Sequence, residues 1–210
     1  MLKILVVDDH AIVRKGLIKI LKESDAGISV DEAGHGQEAL ARVLKTRYEL
    51  VLMDISMPGR GGLDVLKEIK SHRPHLPVLM LSMHPEEEYA FRALRAGASG
   101  YVTKDSAADE LVGAIRKVLS GGRYVSSSLA EKLAFEMDAD AGKLPHETLS
   151  DREYQVLRMI ASGKTVTEIA QELSLSVKTI STYRSRILEK MRAKNNAELT
   201  RYAFANRLVS

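Results

Sequence analysis

The chain has 210 residues, 45% hydrophobic and 28% charged, an ordinary globular balance, and that length allows one large or two modest domains, each with its own core. The absence of cysteine excludes a disulfide framework and thiolate chemistry, and no apolar run approaches the ~20 residues of a membrane span. The opening MLKILVVDDH turns acidic too early for a secretory signal, so the expectation is a cytoplasmic protein with no membrane partner.

The net charge of +3 is unevenly spread. Residues 1–120 hold 17 Lys/Arg against 17 Asp/Glu, residues 121–147 hold 3 against 5, and residues 148–210 hold 11 against 6. A neutral first part and a basic last part suggest two tasks, the second on a polyanion.

Along the first 120 residues, short β-type runs at 3–7, 29–33, 50–53, 78–81 and 100–102 alternate with helical patterns. In the stretch 12–21, Val13, Leu17, Ile18 and Leu21 recur at three- and four-residue spacing. His84-Pro85-Glu86-Glu87-Glu88 reads as a helix start, with proline first and acids in the opening turn. Several strands are apolar without alternation, as expected when both sheet faces are covered. Five β/α units predict an α/β, doubly wound, five-stranded parallel sheet.

From Gly121 the alternation stops. Ser128-x-x-Glu131 has the capping-box pattern and predicts a short helix to about residue 137. DADAGKLPHE then reads as a joint, with Asp138 and Asp140 as solvating acids rather than calcium ligands. Beyond Leu149 the pattern is helical throughout, with further capping boxes at Ser150-x-x-Glu153 and Thr165-x-x-Glu168. Leu149 and Tyr154 suit a hydrophobic staple. Four helices are expected at about 151–162, 166–173, 177–191 and 196–206. The predicted division is 1–120, a linker with a short helix at 121–147, and a small all-α domain at 148–210.

Ligands of an open parallel sheet bind beyond the carboxyl ends of its strands. That rule gathers Asp8 and Asp9 after the first strand, Asp54 after the third, Ser82 after the fourth and Lys104 after the fifth. Three carboxylates so close repel one another unless a cation intervenes. Magnesium, which keeps several waters, suits a site with few carboxylates. Lys104 adds a point charge suited to phosphate. Asp54 can then act as nucleophile on a phosphoryl group, with Mg2+ and Lys104 offsetting charge on its oxygens.

The pieces VVDDH, LMDISMPGRGG, MLSMH and GYVTKD, in this order and spacing, resemble the receiver domain of two-component response regulators across about 120 residues. The resemblance implies that Asp54 accepts phosphate from a sensor histidine kinase. It implies too that the Ser56 backbone carbonyl joins Asp8, Asp9 and Asp54 around Mg2+, that Ser82 hydrogen-bonds the phosphate, and that Lys104 pairs with it. Tyr101 becomes the aromatic whose rotamer follows phosphorylation. One departure is that Asp105 follows Lys104, where many receivers carry proline.

Projected at ~100° per residue, residues 177–191 separate into two faces. Val177, Ile180, Ile187, Leu188 and Met191 are expected in the core, and Lys178, Ser181, Thr182, Ser185, Arg186 and Glu189 on the outside. A short helix (TEIAQEL), a tight turn and a basic second helix form a helix-turn-helix pattern, in which the small Ala170 permits close crossing. Lysines and arginines would hold phosphates of double-stranded DNA, while Ser181, Thr182 and Ser185 can approach base edges. The stretch from LSDREYQVL to KNNAEL resembles the LuxR-type helix-turn-helix of the NarL/FixJ class. By position, the resemblance implies phosphate contacts at Lys178, Thr179, Tyr183, Arg184 and Arg186. It also implies binding as a homodimer, with the last helix (Ala197, Leu199, Tyr202) as a dimer surface. Ser174 stands where this family often has glycine.

The histidines are not read as ligands: His72 and His75 flank Arg73-Pro74 in a loop, and His10 and His84 are taken as exposed loop residues near the acidic edge. The combined expectation is a phosphorylation-dependent, DNA-binding transcriptional regulator. The rival from another class, a magnesium-dependent phosphohydrolase, lacks a dedicated general acid for a leaving alcohol.

Overall fold

A computed structural model describes residues 2–25, 27–83, 86–126, 129–130 and 144–209. His84, Pro85, Ser128 and Glu131 of the expected capping box, the helix expected from it beyond Ala130, and Asp138 and Asp140 lie outside the described residues. The chain divides into two compact units, Met1–Ala139 and Asp140–Ser210.

In the first unit, strands β1 (Leu2–Val7), β2 (Ile28–Ala33), β3 (Leu50–Asp54), β4 (Val78–Ser82) and β5 (Gly100–Thr103) alternate with helices. These are α1 (Ala11–Ser24), α2 (Gly36–Lys45), α3 (Gly62–His72), α4 (Glu86–Arg95) and α5 (Ala107–Leu119). All strand pairs are parallel, in the order β2-β1-β3-β4-β5. The continuous apolar runs are explained by burial on both faces: Ile4 to Val7, Leu50 to Met53 and Val78 to Leu81 are wholly inaccessible. Leu17 and Leu21 of α1 and Leu111, Ala114, Ile115 and Val118 of α5 pack on one side of this sheet. The chain leaves β1 for β2 on one side and returns to β3 on the other, so the β1/β3 boundary is the switch point where a ligand crevice opens.

The chain after α5 does more than connect. Tyr124 forms a parallel bridge with Gly100, its N–H donating to Ser99 O (3.0 Å) and its O accepting from Tyr101 N (3.1 Å). The outer edge of β5 is thereby covered at one point. A Cβ on Gly100 would sit 2.6 Å from Tyr124 O, so only glycine admits that approach.

The second unit opens with a 3-10 turn (Pro145–Thr148), followed by α6 (Asp151–Ala161), α7 (Val166–Glu172), α8 (Val177–Met191) and α9 (Asn196–Ala205). Ser150 with Glu153 and Thr165 with Glu168 both close full capping boxes. Ser176 and Asn195 cap α8 and α9. Leu149 and Tyr154, the expected staple, are both buried. Each helix ends with a residue in the left-handed region, at Gly163, Ser174, Arg192 and Arg207. At each end a 6→1 hydrogen bond closes the chain, as in Leu175 N to Ala170 O at 2.9 Å. Among the described residues no helix is long and apolar enough to cross a membrane.

Candidate functional site: an acidic strand edge and an exposed helix face

At the carboxyl edge of the first unit, pairing continues past the apolar residues and fixes the polar ones that follow. Asp8 N donates to Ala33 O (3.2 Å), Ile55 N to Leu81 O (3.0 Å) and Lys104 N to Ser82 O (2.7 Å). Asp54 and Ser82 are therefore the last residues of β3 and β4, held by backbone whatever their side chains prefer. Asp8 (0% exposed), Asp54 (1%) and Ser82 (0%) are all buried.

Lys104 Nζ lies 2.7 Å from Asp8 Oδ2 and 2.9 Å from Asp54 Oδ2, with only 8% of its side chain exposed. Burial opposes its charge, but Asp54 and Asp8 outweigh that and hold the ammonium above its ordinary pKa. For Asp54 burial dominates: even against the pull of Lys104, its carboxyl is pushed up to about 6. Carboxylate oxygens of Asp8, Asp9 and Asp54 and a ring nitrogen of His10 all lie within 4.8 Å of one another. Asp8 Oδ2, Asp9 Oδ1 and Asp54 Oδ2 are buried without a hydrogen bond, the first and third meeting Lys104 as an ion pair outside hydrogen-bond alignment. Three carboxylates against one ammonium leave two negative charges uncompensated. Oxygen donors in that number and charge fit a small divalent cation.

Opposite the acids, the loop after β3 is tight. Ser56 N donates to Asp54 Oδ1 (3.3 Å), and Gly62 N returns to Ile55 O (2.9 Å). A Cβ on Gly62 would collide with the backbone carbonyl of Asp54. Tyr101 is fully buried on β5, where Met80 of β4 is its register partner. Ser82 pairs in register with Thr103, the residue before Lys104. The Lys104–Asp105 peptide is trans, as are all described peptide bonds.

Arg14 was passed over in the sequence, whereas His10, expected as an exposed loop residue near the acidic edge, keeps a 66% exposed side chain there, with Nδ1 3.1 Å from Asp9 Oδ1 and 3.5 Å from Asp8 Oδ1. Arg14 donates from Nη1 to the Asp8 carbonyl (2.6 Å) while its Nε meets Glu32 (3.2 Å). Its signal was position: it lies one helical turn beyond the residue that follows the acidic pair.

In the second unit, α8 shows an exposed face of Lys178, Ser181, Thr182, Ser185, Arg186 and Glu189, as expected. Thr182 Oγ1 donates to Lys178 O (3.0 Å) and Ser185 Oγ to Ser181 O (3.1 Å). Their hydrogens are thus held by the helix, and their lone pairs are left for an outside donor. Thr179 is half-buried and contacts Ser176 Oγ through its hydroxyl (2.8 Å). Tyr183 is half-buried. Arg184 turns aside, donating from Nε to Asn196 Oδ1 (2.7 Å).

Three expectations need correction. Val177, expected in the core, is 47% exposed, because the first turn of α8 runs beyond the residues it packs on; Ile180 and Ile187 carry the burial. Leu188 and Met191 are half-buried rather than core. On α9, Leu199 is wholly inside its own unit and so cannot form part of a dimer surface, whereas Ala197 is exposed and Tyr202, tied to His146 Nδ1 (2.9 Å), is half-buried.

A five-stranded parallel sheet with buried acids and a lysine at its switch point, followed by a helix-turn-helix unit, defines a response regulator. Residues 4–116 match the response regulator receiver domain and residues 147–203 the bacterial regulatory proteins of the luxR family, so the chain belongs to the response regulators of the NarL/FixJ class. It is 37% identical over 211 residues to response regulator UvrY of Escherichia coli (strain K12), covering 100% of this chain and 97% of that protein. Response regulator GacA of Pseudomonas protegens is 38% identical over 209 residues, covering 100% and 98%. Among solved structures, RcsB from Salmonella enterica serovar Typhimurium, bound to promoter rprA with the phosphomimetic BeF3-, is 30% identical. Its TM-score is 0.63, and the match covers 96% of this chain and 98% of that one.

Proposed function

We propose that this chain is a phosphorylation-dependent, DNA-binding transcriptional regulator in which Asp54 takes a phosphoryl group from a sensor histidine kinase. The supporting observation is the burial of Asp54 (1% exposed) 2.9 Å from Lys104 Nζ, beside Asp8 and Asp9, each with one buried oxygen that lacks a hydrogen bond. One carboxylate oxygen of Asp54 attacks phosphorus, the bond from phosphorus to the kinase imidazole nitrogen breaks, and an acyl phosphate remains. Lys104 pairs with the phosphoryl oxygens and Ser82 hydrogen-bonds to them. Asp8, Asp9, Asp54 and the Ser56 carbonyl would hold Mg2+, which neutralises charge on the transferring group. Tyr101, buried in register beside Met80, follows the rearrangement of Ser82. A phosphate shifts the protein between two arrangements only by its different affinity for each.

We assign residues 1–120 to the receiver, 121–147 to a linker with a short helix and 148–210 to the DNA-binding domain. Lys178 and Arg186, with Thr179, Tyr183 and Arg184 nearby, serve phosphates of double-stranded DNA, and Ser181, Thr182 and Ser185 serve base edges. Homodimers bind paired half-sites about one helical turn apart. The protein is its own substrate, capable of slow self-phosphorylation and self-dephosphorylation, and works in the cytoplasm without a membrane partner. Incubation with acetyl phosphate and Mg2+ should add the mass of one phosphoryl group, and Asp54→Asn should abolish that. Equal labelling of the variant would sink the assignment.

A further inference from the structure

We propose that Arg14 is a positioning residue for the cation site at the acidic edge. Its guanidinium, anchored on Glu32, holds the Asp8–Asp9 peptide at the angle that delivers the Asp9 carboxylate to the metal. The inference rests on the reading of that edge as a Mg2+ site.

Asp8 and Asp9 are neighbours in the chain but are fixed differently. Each polar atom of Asp8 has a partner. Its N–H donates to Ala33 O (3.2 Å), its Oδ1 accepts from His10 N (2.8 Å), and its Oδ2 lies 2.7 Å from Lys104 Nζ. Its carbonyl accepts from Arg14 Nη1 (2.6 Å). Asp9, by contrast, has Oδ1 buried without a hydrogen bond. Lys104 meets Asp8 and Asp54, so what orients Asp9 is the peptide that joins it to Asp8. A peptide is planar, and its C=O and the following N–H turn together. Holding Asp8 O therefore fixes the plane from which the Asp9 Cα departs.

Arg14 is anchored at both ends. Its backbone N–H donates to His10 O (3.1 Å) in the first turn of α1, so the side chain starts from rigid helix. Its Nε meets Glu32 Oε2 (3.2 Å), and Glu32 is held in β2 in register with Val6. One planar fork thus spans α1, the exit of β1 and β2, with only 17% of the Arg14 side chain exposed. Lysine would offer a single nitrogen in place of that fork. Charge points the same way. A free cation this close to the acids would compete with a metal ion, but Glu32 offsets the charge of Arg14. The clamp therefore shapes the site without filling it.

The test is calorimetric titration of the full-length, metal-free protein with MgCl2, for wild type, Arg14→Lys and Arg14→Ala, with phosphoryl uptake from acetyl phosphate followed against Mg2+ concentration. Arg14→Ala should weaken Mg2+ binding about tenfold, as loss of a partner that orients a metal ligand does. The Mg2+ concentration for half-maximal uptake should rise by the same factor, while the rate at saturating Mg2+ stays near that of wild type. Arg14→Lys, which keeps the charge and loses the fork, should fall between the two. In metal-free Arg14→Ala, the 15N order parameter of the Asp9 amide should drop from the rigid-backbone value of about 0.85 toward the flexible range below about 0.6. Unchanged or tighter Mg2+ binding in Arg14→Ala would show that Arg14 is a bystander charge and overturn the proposal. So would a lowered plateau rate with unchanged half-saturation, or an Asp9 amide that stays rigid. Arg14→Lys binding as tightly as wild type would show that charge alone suffices, which overturns the clamp. If wild type itself takes up no Mg2+, the cation reading fails and the inference with it; if wild type binds Mg2+ and the variants match it, the inference alone fails.

Discussion

Replacing Asp54 with asparagine should stabilise the first unit, and the gain should grow with pH. Burial raises the Asp54 carboxyl from its ordinary 3.8 to about 6. A carboxyl whose folded pKa is raised keeps its proton longer in the folded state than in the unfolded one. Its contribution to stability therefore falls as pH rises from about 4 through about 6, and the full penalty holds above that. At about pH 7 the penalty is on the order of 3 kcal/mol, and at about pH 4.5 it is about 1 kcal/mol. Asparagine has nearly the same shape and no proton to lose. Native-state hydrogen exchange at the amides of Leu52 and Met53 reads opening of this unit alone, since both residues are wholly buried in its central strand. In metal-free protein, Asp54→Asn should slow their exchange about a hundredfold at about pH 7 and clearly less at about pH 4.5. Intrinsic exchange rates cancel because the proteins are compared at one pH. A bound divalent cation favours the ionised carboxylate, so added Mg2+ should narrow the difference. Equal protection at neutral pH, or a difference that ignores pH, would refute burial as the dominant influence on this group.

Three further outcomes are expected. Gly62→Ala, whose Cβ would strike the Asp54 carbonyl, should cost about 1–3 kcal/mol and suppress phosphoryl uptake; denaturant unfolding and mass spectrometry read the two effects. Ser174→Gly should stabilise the second unit by about 0.5–1 kcal/mol in thermal unfolding, because Ser174 holds a φ of 53° that costs an ordinary residue ~1–2 kcal/mol, offset in part by the looser unfolded chain. Lys178→Ala should weaken binding to duplex DNA and flatten the logarithmic salt slope by about one; an unaltered slope would show that this lysine touches no phosphate.

How much was legible follows from what kind of signal each feature leaves. The strands were found one residue short at their carboxyl ends wherever the last residue is polar: Asp54, Ser82 and Thr103 continue the backbone ladder after the apolar pattern has stopped. That mismatch is why the acidic edge could be read at all, because a carboxylate fixed at the end of a buried run stands out against its neighbours. Helix starts in the second unit were equally visible, since capping boxes are written in two residues at fixed spacing. Helix ends fall within a residue of expectation, but the left-handed turns that close three of them were not legible, because Ser174, Arg192 and Arg207 adopt that turn without glycine to announce it.

The failures share a cause. Val177 fits the apolar stripe of α8, but periodicity describes a face and not how far along the helix its neighbours extend. Tyr124 makes a single bridge, too short to leave any period. The exposed hydroxyls of Ser181, Thr182 and Ser185 would look the same on any surface helix, so their role depended on the basic residues and the turn beside them. A buried charge departs from what folding favours and so marks itself in the sequence, whereas a solvent-facing contact residue departs from nothing and takes its meaning from its neighbours.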